Sequence, residues 1–261
     1  MQNIPIISYH KISDKREMGL TTVSCSQFRS QMQWLRHNGY QSILFEDLLA
    51  KHILPEKPII ITFDDGYENI YENAVPIMRE TGFRGIIYII TNFIGKYNTW
   101  EAVSFQRKFR HMTAAQIMEL QDAGFEFGVH GRSHFYLPVL SSDKLHEEVF
   151  NAKKYLETIL KREVYSFCYP YGRLSDRVCQ YVLQAGYTFA IRNLGIFDNK
   201  NDNRLQLHRR SIYSNDSQSD FMNKLIFPTE LSISLISEWI IQKGALASIA
   251  INLINGSHLK R

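Results

Sequence analysis

Ile59-Ile60-Ile61-Thr62-Phe63-Asp64-Asp65-Gly66-Tyr67 decides how the rest of the chain is read. Consecutive β-branched residues predict a short buried strand, after which the chain turns on two adjacent carboxylates and a glycine. Side chains alternate between the two faces of a strand, so neighbouring aspartates at its end need not point the same way. One of them can hold a metal ion while the other takes a proton. Gly66 permits the tight exit that leaves both at the strand's mouth. By itself the stretch reads better as a solvated Asp-Asp-Gly turn capping a helix over Glu68–Glu80. Its meaning depends on what surrounds it.

Outward from it, further strands are expected at Ile4–Tyr9, Tyr40–Leu44, Gly85–Ile90, Phe125–His130, Val164–Tyr169, Tyr187–Ile191 and Leu205–Ile212. Helices are expected at Gln27–Asn38 with Ser26 as cap, Phe45–Lys51, Ala114–Ala123 behind Thr113, Ser142 or Asp143 to Leu160, and Ser175–Ala185. Asn92–His111 reads as a long aromatic loop over one end of the fold. Strands alternating with helices through short connections imply a parallel sheet with right-handed crossovers, either closed into a barrel or open and doubly wound. In both, chemistry gathers at the C-terminal ends of the strands.

Composition narrows the classes. With 261 residues, 44% apolar and 21% charged, the chain can build the core of one barrel-sized domain. A net charge of +4 with no basic run interleaved with aromatics gives no nucleic-acid footprint. Cys25, Cys168 and Cys179 are too few and too scattered for a disulfide framework or a paired-cysteine metal site. The N-terminal residues lack the pattern of a signal peptide, so a cytoplasmic location is the expectation.

Two more stretches carry chemistry. Gly128-Val129-His130-Gly131-Arg132-Ser133-His134 sets two histidines at a strand's end, where neutral imidazoles can share one metal ion. No glutamate follows His130, which excludes the helical HExxH protease motif. Phe167-Cys168-Tyr169-Pro170-Tyr171-Gly172 is a second strand end made rigid by Pro170, and such a loop can present a backbone N–H to an oxyanion. One carboxylate with two imidazoles makes a three-ligand site open to water and substrate, and the other carboxylate is a ready base. The pattern points to metal-assisted hydrolysis.

The succession Thr62-Phe63-Asp64-Asp65-Gly66-Tyr67, then His130 to His134, then Tyr169-Pro170-Tyr171-Gly172 resembles the polysaccharide deacetylases with a NodB homology domain, carbohydrate esterase family 4. Ile7-Ser8-Tyr9-His10-Lys11-Ile12 resembles that family's opening strand. The resemblance covers roughly residues 4 to 225 and implies a distorted NodB-like (β/α) barrel of about seven strands. It further implies removal of N-acetyl groups from a polysaccharide or glycan precursor, with a divalent metal, zinc being the expected ion. By motif, Asp64 would be the general base, Asp65, His130 and His134 the metal ligands, and the Tyr171 N–H the oxyanion donor. Water on the metal would lose a proton to Asp64 and attack the acetamide carbonyl.

Gly131 stands where the family usually has a Thr or Ser hydroxyl, and Cys168 where many members carry an arginine that pairs with the base. Arg209, on the last expected strand, is the candidate to take over that tether, with Arg210 facing the other way. Leu205-Gln206-Leu207-His208 is the only late segment similar to the family's acid motif, which makes His208 the candidate general acid. Residues 1–228 are expected to form the barrel domain. The apolar but interrupted residues 229–261 are expected to form a helical extension packed on the barrel, or otherwise lying at a membrane surface or on a partner. The alternatives in function are a deacetylase or deformylase of a lipid-linked sugar and a catalytically silent glycan-binding module of the same fold.

Overall fold

The computed structural model describes residues 4–15, 20–98, 108–193 and 203–225; the expected extension over 229–261 lies outside them. The chain begins with β1 (Ile6–Tyr9), the short pair β2 (Lys11–Ile12) and β3 (Thr22–Val23), α1 (Cys25–His37), β4 (Gln41–Ser42), α2 (Phe45–Leu49) and β5 (Pro58–Phe63). Then come α3 (Val75–Thr81), β6 (Ile86–Ile89), α4 (Ala114–Asp122), β7 (Glu126–Val129), α5 (Ser142–His146) and α6 (Ala152–Leu160). β8 (Ser166–Cys168), α7 (Asp176–Gln184), β9 (Phe189–Asn193), β10 (Leu207–Ser211) and α8 (Gln218–Leu225) complete it. None of the described helices is long and apolar enough to cross a membrane.

Seven parallel strands close a ring in the order β1, β5, β6, β7, β8, β9, β10, with β10 pairing back onto β1. This is the expected (β/α) barrel, and closure leaves no free sheet edge in the ring. The strand expected at Tyr40–Leu44 shrinks to β4. It pairs only with Pro58 and Ile59, the first residues of β5, while β6 pairs with Thr62 and Phe63 at the other end of the same edge. After β4 the chain turns under the barrel.

Strand alternation sorts the ring's residues into two cores. Ile7, Tyr9, Ile59, Ile61, Phe63, Ile87, Phe127, Val129, Phe167 and Tyr169 face outward and bury themselves against α1, α3, α4, α6 and α7. Ile6, Ile60, Ile86, Tyr88, Cys168, Phe189, Ile191 and Leu207 face inward. The N-terminal end of the ring is closed by Leu44 and Phe45, whose ring stacks on Phe189 at 4.3 Å between centroids. Midway up, the Tyr88 ring fills the space beside Gly128, where a Cβ would come within 2.3 Å of it. Packing of this kind makes the interior a filled core, not a pore.

Local signals set most boundaries. Thr113 caps α4 in a reciprocal box with Gln116, and Ser175 caps α7. Two caps differ from expectation. Ser24, not Ser26, accepts from the Gln27 amide to start α1, and Ser141 caps α5. The helices expected at Glu68–Glu80 and up to Leu160 each contain a π-helical stretch, Ile70–Ala74 before α3 and Glu147–Asn151 between α5 and α6. Apolar periodicity does not register such a bulge, because one inserted residue leaves the flanking stripes almost intact.

Candidate active site

Asp64 follows β5 on the inward side and is 1% exposed. The Arg209 guanidinium forks its carboxylate, with Nη1 donating to Oδ1 at 2.7 Å and Nη2 to Oδ2. Arg209 is fixed in turn by donating from Nε to Asn193 Oδ1 at 2.6 Å and from Nη1 to Thr62 Oγ1 at 3.1 Å. The Cys168 thiol lies 3.6 Å from Asp64 Oδ1 and 3.2 Å from Arg209 Nη2. Burial alone pushes the Asp64 carboxyl up. The Arg209 charge, together with its hydrogen bonds, outweighs it and holds the group far below the usual carboxylate range. Asp64 is therefore oriented and ionised.

Asp65 turns the other way because its backbone is left-handed, with φ of 67°. Among the described residues, three of the five non-glycine residues with positive φ are Asp65, His134 and Tyr171, all in this cluster (the other two, Lys51 and Lys161, follow helix ends). Each such residue stores about 1–3 kcal/mol that surrounding structure must offset. The Asp65 carbonyl accepts from His111 Nδ1 at 2.8 Å.

Asp65 Oδ1 lies 3.6 Å from His130 Nε2 and 3.7 Å from His134 Nε2. Those separations are too long for hydrogen bonds. They fit ligands of one ion, since donors each about 2.0–2.1 Å from a tetrahedral zinc stand about 3.3–3.4 Å apart. His130 Nδ1 donates to the Cys168 carbonyl at 2.7 Å, which fixes the tautomer and leaves Nε2 as the ligating nitrogen. Burial lowers the pKa of both imidazoles, that of His134 strongly, so they are in the neutral form a metal requires. Asp64, His130 and Cys168 make a second cluster of donor atoms among the described residues. Arg209 already occupies two of its members, and a dication beside a guanidinium is repelled. The donor set that fits a metal is Asp65, His130 and His134.

Tyr171 has φ of 59° and ψ of 10° between Pro170 and Gly172, and its ring packs on His134 at 4.5 Å. His208 is not brought to this cluster. Arg209 enters the barrel, so its neighbour on β10 leaves by the outer face, level with Arg192. The expectation for His208 is corrected accordingly.

Three residues of this cluster carried no expectation. His10 Nε2 lies 3.7 Å from Asp64 Oδ2, with its side chain 21% exposed. Burial brings His10 down to about 4 against the upward pull of Asp64, so it is neutral. The strand register contained the signal, for Tyr9 pairs with Phe63 and puts His10 level with Asp64. His111 and Asn193 come from a loop and a strand end with no motif to mark them.

The model of the polysaccharide deacetylase family matches residues 51–190. A poly-β-1,6-N-acetyl-D-glucosamine N-deacetylase of Staphylococcus aureus is 28% identical over 204 residues, covering 73% of this chain and 68% of the relative. Among solved structures, the polysaccharide deacetylase BC0361 of Bacillus cereus superposes with a TM-score of 0.73 at 26% identity, over 86% of this chain and 69% of that one. The Streptococcus pyogenes deacetylase PplD, solved with acetate, gives a TM-score of 0.73 at 25% identity over 85% of this chain and 98% of its own. With its barrel closed and its motif residues gathered at one end, this chain belongs to the polysaccharide deacetylase family.

Proposed function

We propose that this protein is a metal-dependent N-deacetylase of an acetylated glycan, with a poly-N-acetylglucosamine chain as the substrate class. The observation that carries the reading is the convergence of Asp65, His130 and His134 on one point, with an ionised Asp64 beside them. A zinc-like ion there supplies a Lewis acid that acidifies water and polarises the acetamide carbonyl. Asp65, His130 and His134 hold it. Asp64 takes the proton of the attacking water, and Arg209 is the positioning residue that keeps its carboxylate aimed and charged. Tyr171, locked in its left-handed turn, offers the backbone N–H assigned to the oxyanion. A carboxyl with so low a pKa is a strong acid once protonated. With His208 facing outward, Asp64 is the group placed to return that proton to the leaving amine.

Elemental analysis of two variants tests the assignment. Asp65→Asn is expected to lose metal, and Asp64→Asn to keep it while acetate release falls roughly 10²–10⁴-fold. Metal retained in Asp65→Asn and lost in Asp64→Asn would exchange the roles. Metal-loaded protein that releases no acetate from any acetylated glycan would end the enzymatic reading.

A further inference from the structure

The loop between the two metal-site histidines lacks the hydroxyl that the family motif places at position 131. Gly131 has φ of 76°, and a Cβ there would come within 2.8 Å of Glu148 Oε2. Glu148 is 2% exposed, and its Oε2 accepts from the Arg132 amide at 2.8 Å and the Ser133 amide at 2.9 Å. On the other side of the loop, the Gly131 carbonyl accepts from the Thr91 amide at 3.3 Å and the Arg132 carbonyl from the Asn92 amide at 2.9 Å. Asn92 Nδ2 donates to Ser133 Oγ at 2.8 Å. The loop is thus gripped from both sides: carbonyls by the residues leaving β6, amides by one buried carboxylate.

Glu148 reaches the loop from the π-helical stretch Glu147–Asn151. A π-bulge adds a residue to a helix turn and re-aims the side chains around it, which is why such bulges gather at functional sites. The neighbouring Glu147 pairs with the Arg132 guanidinium, so successive residues of the bulge hold the backbone and the side chain of one loop. A side chain at 131 would have to be built on a left-handed backbone and would press on this carboxylate. Here one carboxylate oxygen takes two amides of the loop at once. Two N–H donors converging on a carboxylate oxygen make stronger and more directional bonds than a neutral hydroxyl accepts.

We propose that Glu148 is a positioning residue of the metal centre, holding the Arg132 and Ser133 amides so that His130 and His134 face one ion. It rests on the metal-dependent reading above.

The test measures zinc affinity by chelator competition and the visible spectrum of the cobalt-substituted protein, which reports ligand geometry. Glu148→Ala is expected to weaken zinc binding by roughly 10- to 100-fold and to alter the cobalt spectrum. Glu148→Gln retains an acceptor oxygen and is expected to stay within a few-fold of the parent, a rescue that loss of folding stability alone would not produce. If Glu148→Ala does not fold, Glu148→Asp draws the acceptor back by one methylene, and an intermediate loss of affinity is expected. Gly131→Ser is expected to weaken binding by itself but to add nothing to Glu148→Ala, since both disturb one contact. Parent-like affinity and cobalt spectrum in Glu148→Ala, or in Glu148→Asp where Ala does not fold, would overturn the proposal alone. A parent protein that binds no metal would overturn the metal-dependent reading together with it.

Discussion

At the mouth of the barrel, Asp64 is gripped by a guanidinium; at the floor, Glu126 is as deeply buried but meets no cation in hydrogen-bonding reach among the described residues. Glu126 Oε2 accepts from the Glu46 amide at 3.0 Å, and Ser166 Oγ stands 3.5 Å from its other oxygen. Burial raises the Glu126 carboxyl to about 8, only partly countered by the amides at the start of α2. The same interior therefore holds one carboxylate ionised and one carboxylic acid protonated at neutral pH. Desolvation acts on both in the same direction, and the difference is Arg209. The surroundings match: Thr62, Cys168, Asn193 and His10 line the upper end, while Ile4, Ile60, Phe189 and Phe45 line the lower one. One end is built to keep a charge, the other to exclude it.

Removing the cation should break this contrast most severely. Arg209→Met leaves an ionised group buried without its partner, with an expected loss of about 3–5 kcal/mol in denaturant unfolding. Acetate release should fall sharply while bound metal remains. The folded pKa of Asp64 is depressed, so the base is available down to low pH; without Arg209 it rises, and the acidic limb of the kcat/KM profile should move upward. An unmoved limb would mean that Arg209 does not set the state of the base. Arg210→Met, on the outer face of β10, should change little.

Phe45→Ala attacks the other end. Truncating a fully buried aromatic stacked on Phe189 should cost about 3–5 kcal/mol, yet leave metal affinity near that of the parent because Phe45 lies at the end of the barrel opposite Asp65, His130 and His134. Weakened metal binding in this variant would show that the two ends are mechanically coupled.

Glu126→Gln should have the smallest effect and sharpens the comparison through pH. Folded Glu126 keeps its proton up to about 8, whereas an ordinary glutamate releases it near 4.5. The unfolded state then binds fewer protons than the folded one, and this group's contribution to stability falls as pH climbs from about 4.5 to about 8. Glutamine removes that slope. Relative to the parent, the variant should gain stability steadily across the window, measured as the denaturant midpoint against pH; parallel curves would show that Glu126 is ionised in the fold.

Much of the mouth was legible in the sequence, because strand alternation and three strand-end motifs suffice to bring Asp64, Asp65, His130, His134 and Tyr171 together. The Arg209 contact was legible by the same parity, combined with a cysteine where an arginine was expected. That parity also contained the objection to His208, since adjacent residues on β10 cannot both point inward. Glu148 was not legible. It reaches the loop from a helix 15 and 16 residues beyond Ser133 and Arg132, through backbone amides that carry no residue identity, and its aim depends on a bulge that hydrophobic periodicity does not encode. β4 was overestimated because Tyr40–Leu44 has strand-like composition, while its length is set by where β6 takes over the edge of β5.

The floor sealed by Phe45 has a consequence for traffic. Among the described residues the barrel is closed below, so under the proposed reaction acetate released beside Asp65, His130 and His134 would depart by the route that admitted the sugar. A polymer lying across that route would stand between the small product and bulk water. For such a reaction the topology would set the order of release: the glycan would lift or slide before acetate escapes, and each step along the polymer would wait on the departure of a two-carbon anion.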